Sequence, residues 1–144
     1  MLKQLNLTDL IAGIKHRIES GTDVPFCDIP PADAPAPFVF AEITQTENAD
    51  TKTQYCKIYR VWLHVIAEEN GSSIPLYAHI QHVQEALTQD IKLPRGLNLI
   101  TQTDEGIQTI KTDETSEKHA ILQYAFKIGY GFKIKNNYGF RIYQ

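Results

Sequence analysis

Apolar residues fall at Leu7, Leu10, Ile11, Ile14 and Ile18, the spacing of one face of a helix. Lys15, Arg17 and Glu19 lie mostly on the other side. Asn6 or Thr8 can cap the start and Ser20-Gly21 is a stop signal, so the pattern predicts an amphipathic helix of about three turns. "DVPFC" (residues 23–27) reads as a short extended piece and "PFVFAEITQT" (37–46) as a strand. A polar turn around Asn48 and Asp50 leads into "QYCKIYRVWLHVIAEE" (54–69), the longest strand candidate. Its second half is apolar on both alternating sets, which predicts a central strand. The two strands flank a short polar turn and read as an antiparallel hairpin.

Ser72 or Ser73 can cap a second helix with Pro75 in its first turn. Leu76, Ile80, Val83, Leu87 and Ile91 form its apolar stripe, and "LPRG" (93–96) ends it. "LNLITQT" and "IQTIKT" read as two short strands around a hairpin turn at Asp104-Glu105-Gly106. In "KHAILQYAFKIGYGFKI", Ala120, Leu122, Tyr124, Phe126, Ile128, Tyr130 and Phe132 alternate with His119, Gln123, Lys127 and Lys133. Strands follow one another across short turns and helices do not alternate with them. The expected class is α+β: a mostly antiparallel sheet of four to five strands, two helices on one face, and a C-terminal β-like extension. Residues 1–134 read as the domain and 135–144 as the extension or an edge strand.

A chain of 144 residues buries about 70% of its unfolded surface and needs neither metal nor disulfide to hold it together. Cys27 and Cys56 make no disulfide framework and are expected as free thiols in a reducing compartment. No apolar run approaches the roughly 18 residues of a membrane span, and the first residues lack a secretory signal's apolar centre and cleavage site. Charge changes the picture more. Residues 1–117 carry nine Lys/Arg and all 17 Asp/Glu, a net of −8; residues 118–144 carry five Lys/Arg and no acid, a net of +5. A basic, aromatic segment on an acidic body can bind nucleic acid or dock on the acidic face of another copy.

Candidate chemistry is sparse. His79, His82 and Glu85 sit three apart on the second helix but step around its surface without converging, so a solvated face is expected. His64, beside Trp62, reads as a partly buried strand histidine; His119 and His16 have no partner visible in sequence. Cys27 matches no nucleophile motif, and there is no phosphate-binding glycine loop or nucleophile elbow. A small enzyme using Cys27 or His64 would need a pocket where such groups converge. No catalytic, cofactor-binding or metal site is assigned, and no enzyme activity or cofactor is expected.

Two features point to contacts instead. Tyr130-Gly131-Phe132-Lys133-Ile134 recurs as Tyr138-Gly139-Phe140-Arg141-Ile142, which reads either as a hairpin of two edge strands or as an arm for a partner. Five of the chain's seven prolines fall at 25, 30, 31, 35 and 37, a stiff approach to the first strand whose backbone cannot pair at those positions. The candidate interface residues are therefore Pro30, Pro31, Pro35, Pro37, Tyr130, Phe132, Lys133, Lys135, Tyr138, Phe140, Arg141 and Tyr143.

From Leu7 to Lys133 the chain resembles the tail-completion or head–tail joining proteins of long-tailed bacteriophages and prophages. The likeness lies in the order of soft motifs: the first helix, Val24-Pro25, and the proline-rich approach ending in Pro37-Phe38-Val39. Val61, Leu63 and Val65 follow, then a Ser/Pro helix start, Leu87 and Ile91 closing that helix, and His119 to Tyr124 opening a late strand. The resemblance implies a structural virion-assembly protein, acting as a subunit of a homo-oligomeric ring and contacting other tail or connector proteins. It also implies the bacterial cytoplasm during assembly, the virion where the phage is active, and no membrane. The segment after Lys133 is not expected of the family. The alternative reading is a nucleic-acid-binding accessory protein using that segment; the acidic body makes nucleic acid an unlikely main partner.

Overall fold

The computed structural model describes residues 1–28, 35–69, 71–112, 118–135 and 141–142. The first helix, α1 (Leu7–Gly21), starts where Asn6 turns extended and its Oδ1 accepts the Thr8 N–H at 2.9 Å. Leu10, Ile14 and Ile18 are fully buried, whereas Leu7, the first residue of the predicted stripe, is 46% exposed and lies outside the core. Gly13 is required by packing: a Cβ there would sit 2.8 Å from the Lys92 carbonyl oxygen.

β1 (Phe38–Asn48) and β2 (Gln54–Ala67) form the expected antiparallel hairpin. The extended 23–27 piece touches it, with Cys27 N–H donating to the Val39 carbonyl and Val39 N–H to that of Pro25, each at 2.8 Å. α2 (Ile74–Ala86) carries Pro75 in its first turn, and the Ser72 hydroxyl accepts the Ile74 N–H. It ends at Ala86, well before the "LPRG" predicted to stop it. Leu87 and Ile91 stay buried, but the Gln102 side chain binds the backbone of Leu87, Gln89 and Ile91 and holds this stretch out of helix.

The two predicted strands around Asp104-Glu105-Gly106 are one, β3 (Asn98–Lys111). The register against β4 (Lys118–Phe132) moves from Asp104↔Tyr124 to Ile107↔Leu122, so Glu105 and Gly106 are accommodated as a bulge. Gly106 takes φ +97° there and donates to Asp104 Oδ1 at 2.8 Å. The unbroken alternation of β4 gives β3 a template along its whole length, and a bulge absorbs the turn-like residues. The sheet order is β1-β2-β4-β3, so β2 and β4 are central. β5 (Ile134–Lys135) and β6 (Arg141–Ile142) pair antiparallel as a separate ladder.

The helices cover one sheet face. Tyr59, Val61, Leu63 and Val65 of β2 and Ala120, Leu122, Tyr124, Phe126 and Ile128 of β4 form a single core with the helices' apolar faces. The fold is the α+β class that the hydrophobic pattern predicts.

Candidate interaction surfaces

The alternate residues of the same strands build the second sheet face. Phe40 and Glu42 of β1, Arg60, Trp62 and His64 of β2, and His119 and Gln123 of β4 stand there, opposite the core set. Phe40 stacks parallel on His64, ring centres 4.3 Å apart. His64 is 8% exposed and uses both ring nitrogens: Nε2 meets Glu42 Oε1 at 2.9 Å, and Nδ1 meets His119 Nε2 at 3.0 Å. Burial, then the charges of His64 and Lys111, hold His119 below the ordinary histidine range. One consistent proton arrangement has His119 donating to His64 and His64 donating to Glu42. Beside this relay, Trp62 Nε1–H donates to Gln123 Oε1 at 2.9 Å, and Gln123 donates to Glu105 at 2.8 Å. Arg60 bridges Glu105 and Glu47 at 3.5 and 3.0 Å. The network runs across all four strands.

Sequence reading left His119 without a partner. The strand register supplies one: His119 pairs with Ile66 and His64 with Ile121, which makes the histidines diagonal neighbours on one face. Only knowledge of the pairing could have revealed this. His79 is also corrected: it is partly buried and meets Glu68 at 2.9 Å, outside its own helix. The Glu68 carboxyl is held below its usual range by its own backbone N–H and by His79. His82 and Glu85 remain exposed and do not converge with it.

At the hairpin end of the sheet the candidate interface residues divide. Lys133 Nζ lies 3.2 Å from Asp50 Oδ2 and 4.7 Å from the Tyr55 ring centre, and Tyr55 packs 5.8 Å from Tyr130. Asp50 Oδ1 also accepts the Cys56 N–H at 2.9 Å. Burial pushes the Asp50 carboxyl up, but the Cys56 N–H and Lys133 outweigh it and leave the group below its usual range. Tyr130 is pushed up, first by burial and then by Asp50. Tyr130 and Lys133 therefore clamp the end of the sheet. Phe132 is 46% exposed and Pro35 is exposed; Pro37 is half-buried after a cis peptide bond. Lys135 and Arg141 face each other in the β5–β6 ladder. Pro30, Pro31, Tyr138, Phe140 and Tyr143 lie outside the described residues.

Among the described residues neither cysteine has a histidine hydrogen-bonded to it. Cys27 and Cys56 are free, one partly and one fully buried, and burial pushes the Cys56 thiol up. An open cleft of about 680 Å³ between the first residues and Pro94–Leu97 has Lys3, Arg95 and Tyr130 on its walls, but neither Cys27 nor His64. Among the described residues no group of three or more His, Cys, Asp or Glu is placed to hold a metal ion, and no helix is long and apolar enough to cross a membrane.

Fold and surfaces together define an α+β domain whose sheet packs the helices on one face and carries a polar, aromatic network on the other. A family model described as "Putative tail termination protein" matches residues 1–136; the chain belongs to this phage tail terminator family. Among solved structures, a chain from the virion of a native gene transfer agent particle has the same fold. The TM-score is 0.71, over 85% of this chain and 96% of that one, at 15% identity. A comparison with curated proteins gives no match. The family resemblance read from the sequence holds, and the matched region runs three residues past Lys133.

Proposed function

We propose that this chain is a structural subunit that completes a phage tail, assembling as a ring through contacts with its own copies and with tail or connector proteins. The family match over residues 1–136 carries the reading. A structural role in building phage particles follows from that membership; the ring is the finer step. Support for it comes from unlike charge on the two parts of the chain, −8 over residues 1–117 and +5 over residues 118–144, since ring closure joins two different patches. On this reading residues 1–134 form the body and 135–144 an extension, with assembly in the bacterial cytoplasm and incorporation in the virion.

The function is binding, without reaction or cofactor. The Glu42-His64-His119 group is turned on itself, with both His64 nitrogens engaged. Lys133, one of the five cations of the basic segment, is paired with Asp50, which counts against that segment as a phosphate-binding arm. The test is to mix the purified chain with tail tubes of the phage that encodes it and image them. Added density at one tube end is expected. Unchanged tube ends, together with binding to single-stranded DNA that weakens steeply with salt, would overturn the reading in favour of the nucleic-acid one.

A further inference from the structure

The outer edge of β1 is a strand edge with its pairing groups turned outward. Val39 uses its outward N–H and carbonyl on Pro25 and Cys27. By strand alternation the next outward groups belong to Ala41 and Ile43, and no described strand pairs with them. On the helix side of this edge, Ala41 and Ile43 are only partly buried against the core. On the other side stands Glu42, whose side chain is 54% exposed and engages His64 through Oε1 alone. β1 contains Glu42 and Glu47 and no Lys or Arg.

Residues 138–143 are the counterpart in sequence. "YGFRIY" is β-prone, carries Arg141 and has no acid. In an extended strand Tyr138, Phe140 and Ile142 share one face, and Gly139, Arg141 and Tyr143 the other. If Arg141 lies beside Glu42, Phe140 and Ile142 fall beside Ala41 and Ile43 in either strand direction. Among the described residues β6 pairs along one edge, with β5.

We propose that residues 138–143 of a second copy add as a strand to the β1 edge, with Arg141 against Glu42 and the apolar set extending the core. This rests on the assembly reading above and names the contact that joins neighbours. The occupant is another copy, because the edge lacks cations, the added strand lacks acids, and both belong to one chain.

Sedimentation of the full chain across concentration, with hydrogen exchange read at residues 41–46, tests it. Oligomers are expected to form with concentration, slowing exchange at Ala41 and Ile43 as they do. Glu42→Lys and Arg141→Glu should each weaken association about tenfold, and the double variant should recover it. Because Glu42 also holds His64, recovery in the double variant separates a contact from a folding defect. Association unchanged by deleting residues 137–144, or slow exchange at 41–46 independent of concentration, overturns the proposal; the second means the strand adds within its own copy. An oligomer surviving the deletion leaves the assembly reading standing. A chain that neither associates nor joins tail tubes overturns both.

Discussion

Gln102 is the side chain whose removal should most clearly loosen the packing between helices and sheet. It projects from β3 opposite Phe126 and reaches the stretch after α2. Its Nε2 donates to the carbonyls of Leu87 and Gln89, and its Oε1 accepts the Ile91 N–H, each at 2.9 Å. That stretch carries Lys92, whose carbonyl closes on Gly13 of α1, so Gln102 ties both helices to the sheet. Gln102→Ala removes three hydrogen bonds of roughly 0.5–1.5 kcal/mol each. Two are partly buried and one is exposed, where water replaces it, which leaves about 2 kcal/mol. For a chain of this size that corresponds to about 4–8 °C in Tm. Gln102→Glu sharpens the test: an ionised carboxylate cannot donate to the two carbonyls and repels them. It should be less stable than Gln102→Ala at neutral pH and regain ground as the pH falls and the carboxyl acquires a proton to donate. Urea melts at pH 7.5 and 4.5 read both effects. A Gln102→Ala loss below 0.5 kcal/mol (about a quarter of that expected), or a Glu variant equal to wild type at pH 7.5, refutes the argument.

Other outcomes follow from the same packing. Gly13→Ala should cost about 1–3 kcal/mol by thermal melt, since its Cβ meets the Lys92 carbonyl at 2.8 Å. Asp50→Ala strands the Cys56 N–H and Lys133 together and should cost about 1–3 kcal/mol; Asp50→Asn, which keeps an acceptor, should cost less. His119 has its folded pKa depressed, so the unfolded chain takes up the proton more readily. Its contribution is present above the unfolded value of about 6.5 and is lost as the pH falls from there through the folded pKa. His119→Gln should flatten the stability profile in that window, and a slope equal to wild type counts against the relay. Glu68, also depressed, loses its contribution at lower pH, below the ordinary carboxylate range, and Glu68→Gln should flatten that region instead.

The core was legible because it is periodic. The stripe of α1 after Leu7, the alternation of β4 and the two-sided burial of β2 each follow from a local rule. The errors mark where distant partners override such rules. Asp104-Glu105-Gly106 carries turn chemistry, yet β4 runs opposite as one continuous strand and turns it into a bulge. α2 has a stripe that continues to Ile91, yet Gln102, from another element, captures its carbonyls and stops it early. The second sheet face was hidden for a similar reason. Glu42, His64 and His119 are scattered in sequence, and only the β1–β2–β4 register brings them together. Tyr130 and Lys133 were singled out for their aromatic and basic pattern. That pattern does not distinguish a clamp on Asp50 and Tyr55 from a surface offered to a partner.

The two edges of the sheet differ in a way that bears on assembly. β3 meets β4 through three register breaks within 14 residues, and Gly106 adds a positive φ. Such an edge is locally twisted and offers no long run of evenly spaced pairing groups. β1 has one break, between Ile43 and Gln45, and presents Ala41 and Ile43 ahead of it. A sheet with two regular edges would invite copies to pair edge to edge without limit. With one irregular edge and one regular but acidic one, strand addition favours a strand that brings positive charge. Residues 138–143 meet that condition and a second β1 does not, because two copies of Glu42 would face each other. On the proposed contact each copy gives one segment and receives another, a heterologous join that closes into a ring when the rotation per copy allows. The same charge that selects the neighbour's Arg141 therefore also bars the symmetric β1–β1 dimer, which makes Glu42→Gln informative in the opposite sense to Glu42→Lys. It should weaken the head-to-tail contact while permitting β1–β1 dimers, a change from larger species to dimers in sedimentation. Retention of the wild-type size distribution by Glu42→Gln would show that charge at this edge does not choose the partner.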